Sequence, residues 1–118
     1  MKDMYSFHRT QEELDTYFEV VHGAYDRVFE RLGLSDSTHY TFASGGDFCK
    51  YSYEFQTEVD IGEDEIFICG SCGQAHNKEI IDENNFVCAI CSHTTCEKKI
   101  VSEAANIFKL GSRFSDAF

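Results

Sequence analysis

Two Cys-x-x-Cys pairs, Cys69/Cys72 and Cys88/Cys91, stand with fifteen residues between them in a chain of 118. No other feature restricts the fold as much, because two such turns can bring four thiolates to the corners of one tetrahedron. Each turn offers two sulfurs to an ion while its backbone N–H groups point at them. Gly73, directly after the first pair, permits the positive φ that such turns favour. The spacing is that of a zinc ribbon, and zinc is the expected ion ahead of rubredoxin-type iron or a pair of unmetallated turns. Four protein ligands leave no open position, so the ion is expected to be structural and not a Lewis acid. The segment around it holds few core residues of its own, and small modules commonly depend on a metal or a disulfide to fold. His93 and Cys96 stand near enough to replace Cys91, at a looser spacing.

The remaining cysteines and the charge narrow the setting. Six Cys could make three disulfides in a secreted mini-protein, but four of them sit at metal-knuckle spacing and no export signal is visible. Neither a signal peptide nor a run of apolar residues long enough to span a bilayer is present, so a cytoplasmic location is expected. The formal charge of -11 opposes phosphate backbones and anionic lipid, which excludes autonomous nucleic-acid binding and a membrane partner. Eleven Phe and six Tyr supply enough apolar surface for a packed core. The absence of Pro fits either a regular segment or a short stretch cut from a longer sequence, and the second is the reading preferred. Cys49 has no partner at knuckle spacing and reads as a small packing residue, while His8, His22, His39 and His76 are isolated and read as surface or packing residues.

Along the chain, "MKDMYSFH" alternates as a strand would, with Asp3, Tyr5 and Phe7 on one side. Thr10 followed by Glu13 is a capping box. Leu14, Tyr17, Phe18, Val21, Ala24, Tyr25, Val28 and Leu32 then recur at three- and four-residue steps up to Gly33, predicting an amphipathic helix whose aromatic stripe is core. "STHYTFA" and "SYEFQTEVD" predict paired strands joined by the loop "SGGDFCKY", and "EIFIC" predicts a strand entering the first Cys pair. "IVSEAANIFKL" divides between strand and helix propensity and is read as a strand. The fold class is therefore α+β: an antiparallel sheet with one long covering helix and a small inserted zinc ribbon. The expected boundaries are 1–61 for a core segment, 62–99 for the ribbon and 100–118 for the return to the core.

Taken in order, "MKDMYSFH", "SYEFQTEVDIGEDEIFIC" and "NIFKLGSRFSDAF" resemble successive blocks of the bacterial-type prolyl-tRNA synthetases, which are class II aminoacyl-tRNA synthetases. The resemblance covers nearly the whole chain apart from the ribbon interior. It implies that "MKDMYSFH" is the second strand of motif 2 in the class II active-site sheet, with Met1, Asp3 and Tyr5 facing the substrate. Asp3 would meet the cationic imino group of proline, a charge-assisted contact, while Met1, Tyr5 and Phe108 would line the ring pocket. Glu103 and Asn106 would lie near ATP, through Mg2+. Ala105 departs from the usual Gly, and Tyr53 from the usual His.

Many bacterial members carry an editing domain where this chain has its ribbon, so no cis-editing is expected. The motif 2 arginine that grips the α-phosphate and the arginine of motif 3 would lie outside residues 1–118. Since electrostatic stabilisation of the phosphoryl transition state rests on such groups, the isolated chain is expected to be inactive. By the resemblance, the partners of the complete enzyme would be proline, ATP and tRNA(Pro), and that enzyme would be a homodimer. The alternative expectation is a stand-alone zinc-ribbon interaction module on a synthetase-derived scaffold.

Overall fold

A computed structural model describes residues 2–117, so Met1 lies outside the described residues. Two compact units divide the chain, Met1–Ser35 and Asp36–Phe118, and each is described by itself.

The first unit is built on helix α1, Gln11–Arg31. Thr10 caps it, its hydroxyl accepting from the Glu13 N–H at 3.2 Å, and the Glu13 carboxylate reaches back to the Arg9 N–H at 3.0 Å. One N–H group left without a helical partner, that of Glu13, is thereby satisfied, along with the N–H just before the cap. At the other end Gly33 takes φ 71°, its N–H bonding Glu30 O while the Leu34 N–H bonds Phe29 O. This is a Schellman closure, which a left-handed glycine makes possible.

The predicted core stripe is only partly realised. Phe18 is buried, but Val28 and Leu32 are exposed, and Phe29, off the stripe, is buried in their place. Periodicity marks an apolar face; burial follows only where another element meets it.

The strand expected over "MKDMYSFH" is absent: Lys2–His8 belongs to no ladder among the described residues. Alternation makes a segment capable of pairing, but a strand exists only with a partner to receive its N–H and C=O groups. Here side chains make the bonds instead, Ser6 with His8 at 2.8 Å and Lys2 with the hydroxyl of Tyr25 on α1.

The second unit is a small closed barrel of five strands: β1 Thr38–Ser44, β2 Tyr51–Glu58, β3 Asp64–Cys69, β4 Ala75–Asn77 and β5 Cys96–Ile107, in the spatial order β1-β2-β5-β3-β4. Single 3-10 turns stand at Ser35–Ser37, Lys78–Ile80 and Ser115–Ala117. The β1–β2 pair is antiparallel across the "SGGDFCKY" loop, as expected. "IVSEAANIFKL" lies in strand β5 as far as Ile107, its last three residues falling beyond it; the strand begins four residues earlier, at Cys96, and pairs with both β2 and β3.

The sheet departs from the antiparallel expectation at one place. β4 runs parallel to β1, with Thr41 opposite Ala75 and Phe42 opposite His76, and this pairing closes the barrel. The three-residue β4 shows no alternation pattern long enough to be legible in sequence. Ile66, Ala75 and Val101 form one apolar cluster, and Phe67, Cys69, Phe86 and Cys88 form another.

After β2 the chain turns tightly at Gly62, whose N–H bonds Val59 O. A Cβ added there would stand 2.2 Å from the Val101 carbonyl oxygen, backbone that cannot move aside without disturbing β5. Gly62→Ala is therefore expected to lower the stability of the second unit by about 1–3 kcal/mol, read as a shift of the urea midpoint at unchanged slope.

Candidate metal centre

The two Cys pairs fold as near copies of one another. In the first, the Gly73 N–H bonds Cys69 O at 3.0 Å, the Ser71 N–H points at Cys69 Sγ at 3.4 Å, and the Cys69 N–H bonds Gln74 O at 2.9 Å. In the second, the Ser92 N–H bonds Cys88 O at 2.9 Å, the Ile90 N–H points at Cys88 Sγ at 3.5 Å, and the Cys88 N–H bonds His93 O at 2.9 Å. Gly73 and Ser92 occupy the same place in the two turns and both have positive φ, 74° and 59°. Glycine accepts this conformation without strain and serine at a small cost. Gly73 was legible in sequence; Ser92 becomes so only when the two pairs are superposed.

The turns bring Cys69, Cys72, Cys88 and Cys91 together with all four sulfurs within 4.8 Å of one another. Cys69 and Cys91 lie 3.6 Å apart, as do Cys72 and Cys88. That is far beyond a disulfide bond of about 2.05 Å. Four sulfurs at about 2.3 Å from one tetrahedral ion would be about 3.8 Å apart, so the cluster fits a tetrahedral thiolate site.

Cys69 and Cys88 are buried, Cys72 and Cys91 exposed. Backbone N–H groups of Cys72 and Ser71 pull the Cys69 thiol down to about 6. The Gln74 N–H acts the same way on Cys72, but burial and the neighbouring sulfurs outweigh it and push that thiol up to about 12. Four crowded sulfurs resist common ionisation, and a bound cation removes that resistance by displacing their protons.

Neither candidate substitute belongs to the four-sulfur cluster. Cys96 lies opposite Cys69 in the β3–β5 register, and the His93 ring contacts Thr95 Oγ1 at 2.8 Å. Cys49 is half-buried and bonds Tyr51 O through its thiol.

His76, read from sequence as an isolated packing or surface residue, is only 1% exposed and sits between the two turns. One ring nitrogen contacts Gln74 O at 3.2 Å, and the other accepts the Ala89 N–H at 3.2 Å. Burial pushes its pKa down.

The next residue, Asn77, projects to the opposite face of β4 and donates to the Glu54 carboxylate at 3.0 Å. Glu54 also accepts from Gln56 Nε2 at 2.8 Å, and burial pushes its carboxyl pKa up against these two hydrogen bonds. Glu54 was not singled out in the sequence, where it reads as one acid between two aromatics.

The whole chain aligns with the probable mitochondrial proline-tRNA ligase of Rattus norvegicus at 38% identity over 120 aligned positions. About two thirds of it aligns with the proline-tRNA ligases of Nautilia profundicola, at 41%, and Halothermothrix orenii, at 44%. The chain belongs to the proline-tRNA ligase family. It spans 24% of the length of the rat relative and 14% of each bacterial one. No family model and no solved structure matches it.

The residues that the resemblance to these ligases singles out fall in both units. Asp3 and Tyr5 are exposed in the first. In the second, Asn106 lies opposite Glu54 across β2 and β5 and donates to the Glu103 carboxylate at 2.9 Å. Phe108 follows β5, its ring 6.2 Å from that of Phe48.

Cys88→Ser is expected to abolish uptake of a tetrahedral thiolate-binding probe, Co2+, whereas Cys96→Ser should retain it. The absorption spectrum of the Co2+-loaded chain checks both; loss of uptake in Cys96→Ser alone would move the site.

Proposed function

We propose that this chain is the part of a proline-tRNA ligase that lies between motifs 2 and 3 of its catalytic core. The complete enzyme would activate proline with ATP to give prolyl-adenylate and pyrophosphate, then pass the prolyl group to the 3′ end of tRNA(Pro). The observation that carries this reading is the match to mitochondrial ligases along the full chain, ribbon included. On this reading residues 1–61 and 100–118 belong to the catalytic core, 62–99 form the ribbon, and the complete enzyme is a homodimer without cis-editing. The compartment is the cytoplasm, where thiols stay reduced; the relatives include both bacterial and mitochondrial ligases.

Within this reading the roles are divided. Met1, Asp3, Tyr5 and Phe108 would form the proline site, with the Asp3 carboxylate receiving the cationic imino group. Glu103 and Asn106 would stand at ATP and its Mg2+. Zn2+ on Cys69, Cys72, Cys88 and Cys91 would hold the ribbon's shape and leave the chemistry to the strands. Catalysis would come from positioning and from positive groups on the phosphates, the motif 2 and motif 3 arginines, which by the resemblance would lie outside residues 1–118.

Two measurements test this. Metal analysis of the purified chain should give one zinc per chain; a metal-free chain with native spectra would refute the structural-zinc assignment. In the complete enzyme, Asp3→Ala should raise the KM for proline by about 10- to 150-fold, the 1.5–3 kcal/mol of a hydrogen bond to a charged group, with the KM for ATP little changed. An equal loss for both substrates would remove Asp3 from the proline site.

A further inference from the structure

We propose that His76 is the positioning residue of the metal centre: a buried imidazole that fixes the second Cys turn to the barrel by accepting the Ala89 N–H. The inference rests on the reading that the four cysteines hold a metal. It extends that reading to a residue outside the ligand set.

The two turns are unequally supported. The first is a continuation of the sheet: Cys69 ends β3, Ala75 begins β4, and the turn joins two paired strands. The second lies between Asn85 and Cys96, where no strand runs. Its hydrogen bonds from the Ser92, Ile90 and Cys88 N–H groups close on the turn itself. The Ala89 N–H, one residue after the ligand Cys88, reaches out of the turn to His76 Nε2 at 3.2 Å.

The direction of that bond fixes the proton. Nε2 accepts, so it carries a lone pair, and the hydrogen sits on Nδ1, where the Gln74 carbonyl of the first turn receives it at 3.2 Å. One neutral ring therefore spans both turns.

The ring is itself locked. His76 stands between Phe42 on β1 and Phe67 on β3 in register. Its ring meets Phe42 edge-on at 5.6 Å and Phe86 edge-on at 5.5 Å. Phe86 in turn packs with Phe67, Cys69 and Cys88. A ring held on two sides can set where Ala89, and with it Cys88, comes to rest. Groups that orient metal ligands commonly tune affinity by about 10- to 100-fold.

The test compares His76→Phe, which keeps an aromatic ring but has no acceptor, with His76→Gln, whose amide oxygen can reach the place of Nε2. Affinity for Co2+ and Zn2+ is read by competition with a chromophoric chelator, and the Co2+ absorption bands report the geometry of the thiolate shell. Expected is a loss of about 10- to 100-fold in affinity and altered bands for His76→Phe, with His76→Gln within about threefold of the parent.

Equal affinity for His76→Phe and the parent overturns the proposal, as does an equal loss in both variants. Should His76→Phe not fold, His76→Gln decides alone: near-parent affinity supports the role and a tenfold loss overturns it. In the parent, the imidazole 15N spectrum should show the Nδ1–H tautomer, the minor form of free histidine. An Nε2–H ring overturns the proposal, since it has no lone pair for Ala89. A parent chain that takes up neither metal instead refutes the four-cysteine site, and the proposal falls with it.

Discussion

Three residues, Ala75–Asn77, close the barrel, and most of the second unit depends on their being held there. β4 lies antiparallel to β3 and parallel to β1, so it completes the hydrogen-bonding of both neighbours at once. A three-residue strand has too few ladder bonds to fix its own position. It is fixed by what stands at its ends and on its two faces: the first Cys turn before it, the Asn77-capped 3-10 turn after it, His76 toward the second Cys turn, and Asn77 toward Glu54. A metal on the four sulfurs would therefore brace more than a surface loop. It would hold the turn that leads β3 into the closing strand.

The same strand separates two environments. On the His76 side, Phe42, Phe67 and Phe86 surround a neutral ring and two buried cysteines. On the Asn77 side lie Glu54, Gln56 and Asp64, linked through the Gln56 amide. Burial beside an acidic neighbour makes Glu54 reluctant to ionise, and Glu103 adds repulsion across β2 and β5. Elsewhere the negative charge is relieved locally: Lys78 and Lys98 both grip Glu65, and His39 grips Glu58 at 2.7 Å. The first two lower the Glu65 carboxyl pKa, as His39 does that of Glu58.

Several features were legible because their causes are local. Thr10 and Glu13 announce the start of α1, Gly33 its end, and the Cys-x-x-Cys spacing its pair of turns, each through bonds spanning fewer than six residues. β1, β2 and β3 could be read from β-branched and aromatic runs. "IVSEAANIFKL" was ambiguous because Glu-Ala-Ala favours helix, and pairing with two neighbours outweighs that propensity in β5. "MKDMYSFH" shows the converse: its alternation is genuine, but the ladder that would make it a strand is not found among the described residues. His76 and Ser92 escaped notice because one acts through a partner thirteen residues away and the other through its equivalence to Gly73.

By itself, then, the sequence determined the capped helix, the four-sulfur set, most of the strands and the likeness to the proline-tRNA ligases. Those depend on residue type at short spacing, where backbone geometry leaves few choices. Only the tertiary structure decided that β4 closes a barrel by a parallel pairing, that β5 continues from the second Cys turn into the sheet, and that a histidine joins the two turns. Each of these depends on which distant residues meet, and a buried N–H or imidazole takes its role from the partner that removes it from water.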